Sequence, residues 1–332
     1  MSANFLWSLT ECSGANVPAT LQSLTAEERG ALQEFDRALH ELKSESHEDF
    51  DDESVRIVCD MPVLERVKFL LGRKLRVDRA VDTALAYVAN MRSHNVMADT
   101  MDVRETLELV NEYMTVAGED IGGTVLSAVA RHLDPDLLLA KVPQVLLSMQ
   151  LLFDACLVQS IVTRNTEDDD TERKAMDLRP LRSGVMMAMD AKGAGWSNLS
   201  ASLEKIFITQ FVGKYPMRLR QMILVDPPTL MSIFLRICRP FLPLKLRQRL
   251  HRAWTQRSGV ADDHEKALEQ FLPGKQRVEF FCECSGSLRP VYVPWVIAKR
   301  LRLVERGLVD EATMQKWQLR HENALGIYAL LI

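Results

Sequence analysis

Along the first hundred residues, apolar positions recur at helical spacing; beyond them, short unbroken apolar runs alternate with helical patterns. Thr25, with Glu28 three positions on, forms a capping box ahead of a helix expected over Ala26–Leu42. The charged stretch from Ser44 to Ser54 reads as a solvated linker. From Pro62 to Val96, Val63, Val67, Leu70 and Leu71, and then Val81, Leu85 and Val88, predict two helices, the second capped by Asp78. Further on, Val125 to Ala130 reads as a strand, Leu146 to Val162 as a helix and Thr163 to Ser183 as a polar loop. The continuous run Gly184–Asp190 suits a strand buried on both faces. Helix Leu199–Tyr215, strand Met222–Val225, helices Leu230–Phe241 and Lys245–Arg252, and strand Val278–Cys284 complete the pattern.

Strands separated by helical crossovers predict an α/β fold, with a helical N-terminal module followed by a mainly parallel sheet with flanking helices. The chain divides into an acidic segment (1–54), a helical module (55–105), the sheet domain (106–290) and a helical extension (291–332). Val296–Val304 in that extension reads equally as a peripheral amphipathic helix or as a packing appendage.

The 332 residues are 47% hydrophobic and 26% charged, an ordinary globular composition. A net charge of −4 argues against nucleic-acid binding. The average hides an asymmetry: residues 1–60 carry a balance of −9, whereas residues 214–252 carry nine basic side chains against Asp226 alone. The six cysteines (Cys12, Cys59, Cys156, Cys238, Cys282 and Cys284) follow no disulfide or metal spacing. With no signal peptide and no long apolar stretch, a reduced, cytoplasmic protein is expected.

Enzyme patterns fail on inspection. Four positions beyond the histidines of the three His-Glu pairs stand Asp51, Leu268 and Leu325, not a second histidine. There is no G-x-S-x-G elbow and no P-loop. Gly193-Ala194-Gly195 follows a strand, but Asn198 stands where a dinucleotide site needs a third glycine. Asp190 reads as a turn aspartate. A non-enzymatic protein without cofactor or metal is expected.

Two adjoining stretches are unusual together. Leu230, Ile233, Phe234, Ile237 and Phe241 form an apolar helical stripe, and Lys245, Arg249 and Arg252 share a face of the helix that follows. An apolar helix joined to a basic one suits a surface that meets anionic lipid headgroups.

The ordered set of motifs resembles the CRAL-TRIO lipid-binding family, most nearly its tocopherol- and retinaldehyde-carrying branch. The resemblance rests on Val67-Lys-Phe-Leu-Leu-Gly-Arg-Lys-Leu-Arg-Val-Asp-Arg-Ala80, on Gly184–Gly193, on Lys214-Tyr-Pro-Met-Arg-Leu-Arg220, on Ile223-Leu-Val-Asp-Pro-Pro228 and on Arg239-Pro-Phe-Leu242, from about Pro62 to Gly286. It implies helices and a sheet enclosing an apolar lipid pocket under a gate helix. The pocket would draw on Met186, Met187, Met189, Ile206, Phe207, Phe211, Ile223 and Val225, and the gate on Leu230, Ile233, Phe234, Ile237 and Phe241. A phosphoinositide headgroup would meet Arg73, Arg218, Arg220, Lys245 and Arg249. The implied partners are a hydrophobic lipid and, transiently, anionic phosphoinositide membranes, to a cytoplasmic monomer. The alternative is a protein-interaction module on the same fold, of the kind that regulates small GTPases. Met217 stands where the phosphatidylinositol-transfer branch has glutamate, which weakens the case for inositol inside the pocket.

Overall fold

The computed structural model describes residues 16–43, 50–96, 101–120, 123–158, 175–211, 213–238, 240, 242, 244–253 and 293–331. Phe241 and the expected strand Val278–Cys284 lie outside the described residues. The chain begins with α1 (Val17–Gln22), α2 (Ala26–Leu42), α3 (Asp52–Cys59), α4 (Val63–Gly72), α5 (Val77–Ser93) and α6 (Val103–Tyr113). Helix α2 starts at the capping box read from the sequence: Thr25 Oγ1 accepts from Glu28 N at 3.2 Å, and Thr25 N donates to the Glu28 carboxylate at 2.8 Å.

Two expectations need correction here. The acidic stretch ends in helix α3, because Asp51 accepts from Ser54 N and acts as its N-cap. Helix α5 begins one residue before Asp78, with Arg76 at the N-cap position and no side-chain cap.

Strands β1 (Met114–Asp120), β2 (Gly123–Val129), β3 (Val185–Asp190), β4 (Leu219–Val225) and β5 (Leu250–Ala253) form one sheet in that order. Strand β1 pairs antiparallel with β2, and β2, β3, β4 and β5 run parallel. Between them lie α7 (Pro135–Ala140), α8 (Val142–Val158), α9 (Arg179–Ser183), α10 (Ala201–Phe211), α11 (Thr229–Cys238) and α12 (Leu244–Arg249). The α/β architecture expected from the pattern is thus present. The basic helix is shorter than expected, since Leu250–Ala253 leaves it to become edge strand β5 and carries Arg252 onto the sheet.

Helices α13 (Val293–Arg300) and α14 (Glu311–Leu331) close the described chain. Val293, Trp295, Val296, Ile297 and Ala298 are all buried, so α13 is a packing element against α6 and α8. One core cluster runs from Phe35 on α2 through Phe69 on α4 and Leu152 on α8 to Trp317 on α14. Among the described residues no helix is long and apolar enough to cross a membrane.

Candidate lipid cleft and cationic cluster

The register of the sheet sorts the expected pocket residues. Side chains alternate faces along a strand, and residues paired across parallel strands share a face. Met187 pairs with Met222 and Met189 with Leu224, whereas Ala188 pairs with Ile223 and Asp190 with Val225. Met187 and Met189 therefore stand on one face, and Ile223 and Val225 on the other with Met186. Ile223 and Val225 are fully buried there and cannot line a cavity shared with Met187 and Met189. The assignment of all four to one pocket is corrected.

A narrow apolar cleft lies between α7, α8 and α10. Ile206, Phe207 and Phe211 line it, as the sequence suggested, together with Leu138, Val142, Val145, Leu146 and Leu203, which sequence reasoning did not pick out. An aromatic row positions the two phenylalanines. Phe69 meets Tyr87 edge-on at 5.6 Å, Tyr87 meets Tyr215 at 5.3 Å, and Tyr215 meets Phe211 at 4.7 Å, with Phe207 stacked beyond at 5.4 Å. Tyr215 is anchored in turn by its hydroxyl, which donates to the Leu146 carbonyl at 2.7 Å.

Helix α11 rests on the Met189 face of the sheet. Met231 is buried against Ala191, Ala194 and Leu224, with Leu235 packed beside it. The stripe expected to close on the pocket points elsewhere: Ile233 is 47% and Ile237 61% exposed, while Leu230 and Phe234 are half-buried. The helix is apolar on two faces, one holding it to the sheet and one turned to solvent.

The basic residues come from three segments and partly converge. Gly72 makes the first approach possible, because a Cβ there would stand 1.6 Å from the Pro216 carbonyl oxygen. The next residue, Arg73, donates from Nε to Thr83 Oγ1 at 2.6 Å and from Nη2 to the Tyr215 carbonyl at 2.8 Å. Arg218 donates to the Leu181 carbonyl at 3.0 Å and to the Arg182 carbonyl, and its buried Nε has no hydrogen-bond partner. Arg249, closing α12, donates to the Leu219 carbonyl at 2.6 Å. None of Arg73, Arg218, Lys245 and Arg249 is in an ion pair among the described residues.

Burial, and then Arg218 and Arg79 nearby, lower the pKa of Arg73; burial, and then Arg249, lower that of Arg218. Arg73, Arg218 and Arg249 thus form a chain of mutually repelling cations held by backbone carbonyls. Such an arrangement favours an incoming anion, and guanidinium forks suit phosphate. Arg220 is packed against Met186, its Nη2 3.8 Å from the Met186 sulfur, and burial lowers its pKa. Lys245 is exposed at the start of α12.

No curated protein matches the chain. Among solved structures the chain is similar to the one titled "Crystal structure of Sfh5", with 13% identity, 78% of this chain and 97% of that chain covered, and a TM-score of 0.37. Residues 170–281, the segment that holds β3, α10, β4, α11, α12 and β5, match the family model of the CRAL/TRIO domain.

Proposed function

We propose that the protein is a non-enzymatic cytoplasmic carrier or sensor of a hydrophobic lipid that docks reversibly on phosphoinositide-containing membranes. The observation that carries this reading is the CRAL/TRIO match over residues 170–281, which takes in α10 of the cleft and Arg218, Lys245 and Arg249 of the basic set, while α7, α8 and Arg73 precede it. Each methylene of a lipid chain gains about 0.8 kcal/mol on leaving water, so a long-chain lipid needs an apolar enclosure to cross the cytosol. Ile206, Phe207, Phe211 and the apolar face of α8 supply such a wall, and α11 acts as the gate by leaving the sheet and swinging its outward-turned stripe over the cleft. The solvent-facing stripe of α11 gains favourable surroundings only when it meets lipid. The arginine chain, with no carboxylate in an ion pair with it among the described residues, is the headgroup site. The likeness to the tocopherol- and retinaldehyde-carrying branch rests on these same basic positions.

A second reading, a protein-interaction module, has one observation in its favour. The cleft, about 10 Å³ in volume, has room for hardly one water molecule, far below the roughly 300–1,000 Å³ usual for small-molecule sites. Native mass spectrometry of the full chain after incubation with a cell lipid extract separates the two. The carrier retains one lipid per chain. A chain that stays lipid-free after that exposure is the interaction module.

A further inference from the structure

The turn after β3 is built like a display. Asp190 is buried and accepts from Arg131 Nη1 at 2.7 Å and from Lys192 N at 3.0 Å. Ala191 N donates to the Val225 carbonyl at 2.8 Å, tying the turn to the end of β4. Asn198 accepts from Gly195 N at 2.9 Å and donates to the Arg131 and Leu133 carbonyls at 3.1 and 2.9 Å. Ala194 is buried in a small cluster with Met231 of α11, so the turn lies beside the gate helix, while its hydrogen bonds go to β4 and to the Arg131 and Leu133 carbonyls. From the middle of this pinned turn Trp196 projects with 67% of its surface exposed, the most exposed large apolar side chain among the described residues. A rigid turn that spends this many hydrogen bonds to hold a tryptophan in water has pre-organised it for a contact.

The charges on its own segment and on the segment of α11 and α12 name the partner. Ile233, Ile237 and Leu244 are also exposed, and all lie in segment 229–250. Segments 191–199 and 229–250 together contain Lys192, Arg236, Arg239, Lys245, Arg247 and Arg249, and no Asp or Glu. Exposed apolar side chains on segments whose charged residues are all basic are complementary to an anionic bilayer surface. Tryptophan favours that interface because its ring is apolar and its indole N–H remains near water.

Resting on the docking reading above, we propose that Trp196 is the leading membrane-inserting residue, a fixed wedge beside the moving gate. Its place is set by the turn and does not depend on whether α11 opens. Insertion should therefore occur in lipid-loaded and lipid-free protein alike.

The test uses the full chain with vesicles of phosphatidylcholine mixed with phosphoinositide, some carrying bromine-labelled acyl chains. Wild-type tryptophan emission should shift to the blue and be quenched by the bromines, and Trp196→Phe should lose most of both signals. Trp196→Ala should weaken vesicle binding about tenfold with no change in the unfolding midpoint. Equal quenching of wild type and Trp196→Phe, or equal binding by Trp196→Ala, overturns the proposal. If Lys245→Ala/Arg249→Ala loses binding while Trp196→Ala does not, the docking reading stands and the wedge fails. A wild-type chain that ignores these vesicles removes both.

Discussion

Two charge clusters in this chain are built in opposite ways. On α4, Lys68 is buried with its ammonium 2.8 Å from Glu65 and 2.6 Å from Asp154, and all three side chains are at most 5% exposed. Burial alone would pull the lysine's pKa down, but Asp154 and Glu65 outweigh it and hold the ammonium protonated above its ordinary value. Burial also pushes Asp154 up against the pull of Lys68, and its second oxygen has no hydrogen-bond partner. The cation here is saturated by carboxylates and closed to any ligand. Around β4, in contrast, Arg73, Arg218 and Arg249 hold only carbonyls and a hydroxyl among the described residues, and neighbours along the chain of cations repel one another. One cluster joins α4 to α8 within the scaffold. The other is left electrostatically incomplete at the surface, and an incomplete cluster is where an anion gains most.

The comparison breaks most visibly at Lys68. Lys68→Met leaves two carboxylates buried without their cation, and should cost about 3–5 kcal/mol in urea unfolding. Replacing Glu65, Lys68 and Asp154 together with apolar residues should recover most of that loss, since a buried ion network contributes little beyond well-packed hydrophobics. A triple variant as unstable as the single one would show that the network itself holds the fold.

The gate comes next. Phe234→Asp is expected to slow lipid exchange with vesicles several-fold while barely moving the unfolding midpoint, because the half-buried ring is not part of the central core. Ready unfolding of this variant would make Phe234 a packing residue.

The smallest effect is at Asp51. Burial alone would raise its pKa, but hydrogen bonds from the Ser54 hydroxyl, Arg92 and Ser54 N–H together hold it at about 2, below the usual 3.8. A depressed carboxylate contributes stability that is present above pH 3.8 and is lost as pH falls toward 2. Asp51→Ala should therefore lose about 1 kcal/mol of helix-cap stability near neutral pH. The gap from wild type should close in acid, which a pair of denaturation curves at pH 7 and pH 2.5 would show.

Much of this fold was legible because its signals are local. The Thr25 and Glu28 box, the apolar run of β3 and the stripe of α11 each announce themselves within a dozen residues. Strand β5 was not legible, since Leu250-His-Arg-Ala253 is short, half polar and reads as more of α12. The choice between Met189 and Val225 for the pocket needs the register between β3 and β4, which no single strand carries. Lys68 could be paired with Glu65 three residues back, but Asp154 stands 86 residues away. The sequence offers five basic positions for the headgroup. The structure links Arg73, Arg218 and Arg249, packs Arg220 against Met186, and leaves Lys245 exposed on α12.

The most direct test of the contrast is binding of Arg218→Ala/Arg249→Ala to phosphatidylcholine vesicles containing phosphoinositide, measured beside wild type at low and high salt. The variant should bind about tenfold more weakly at low salt, with a smaller salt dependence, an unchanged affinity for neutral vesicles and an unfolding midpoint equal to or above that of wild type. Equal binding by the two proteins at low salt would show that these arginines serve only the backbone carbonyls they cap, and would contradict the account.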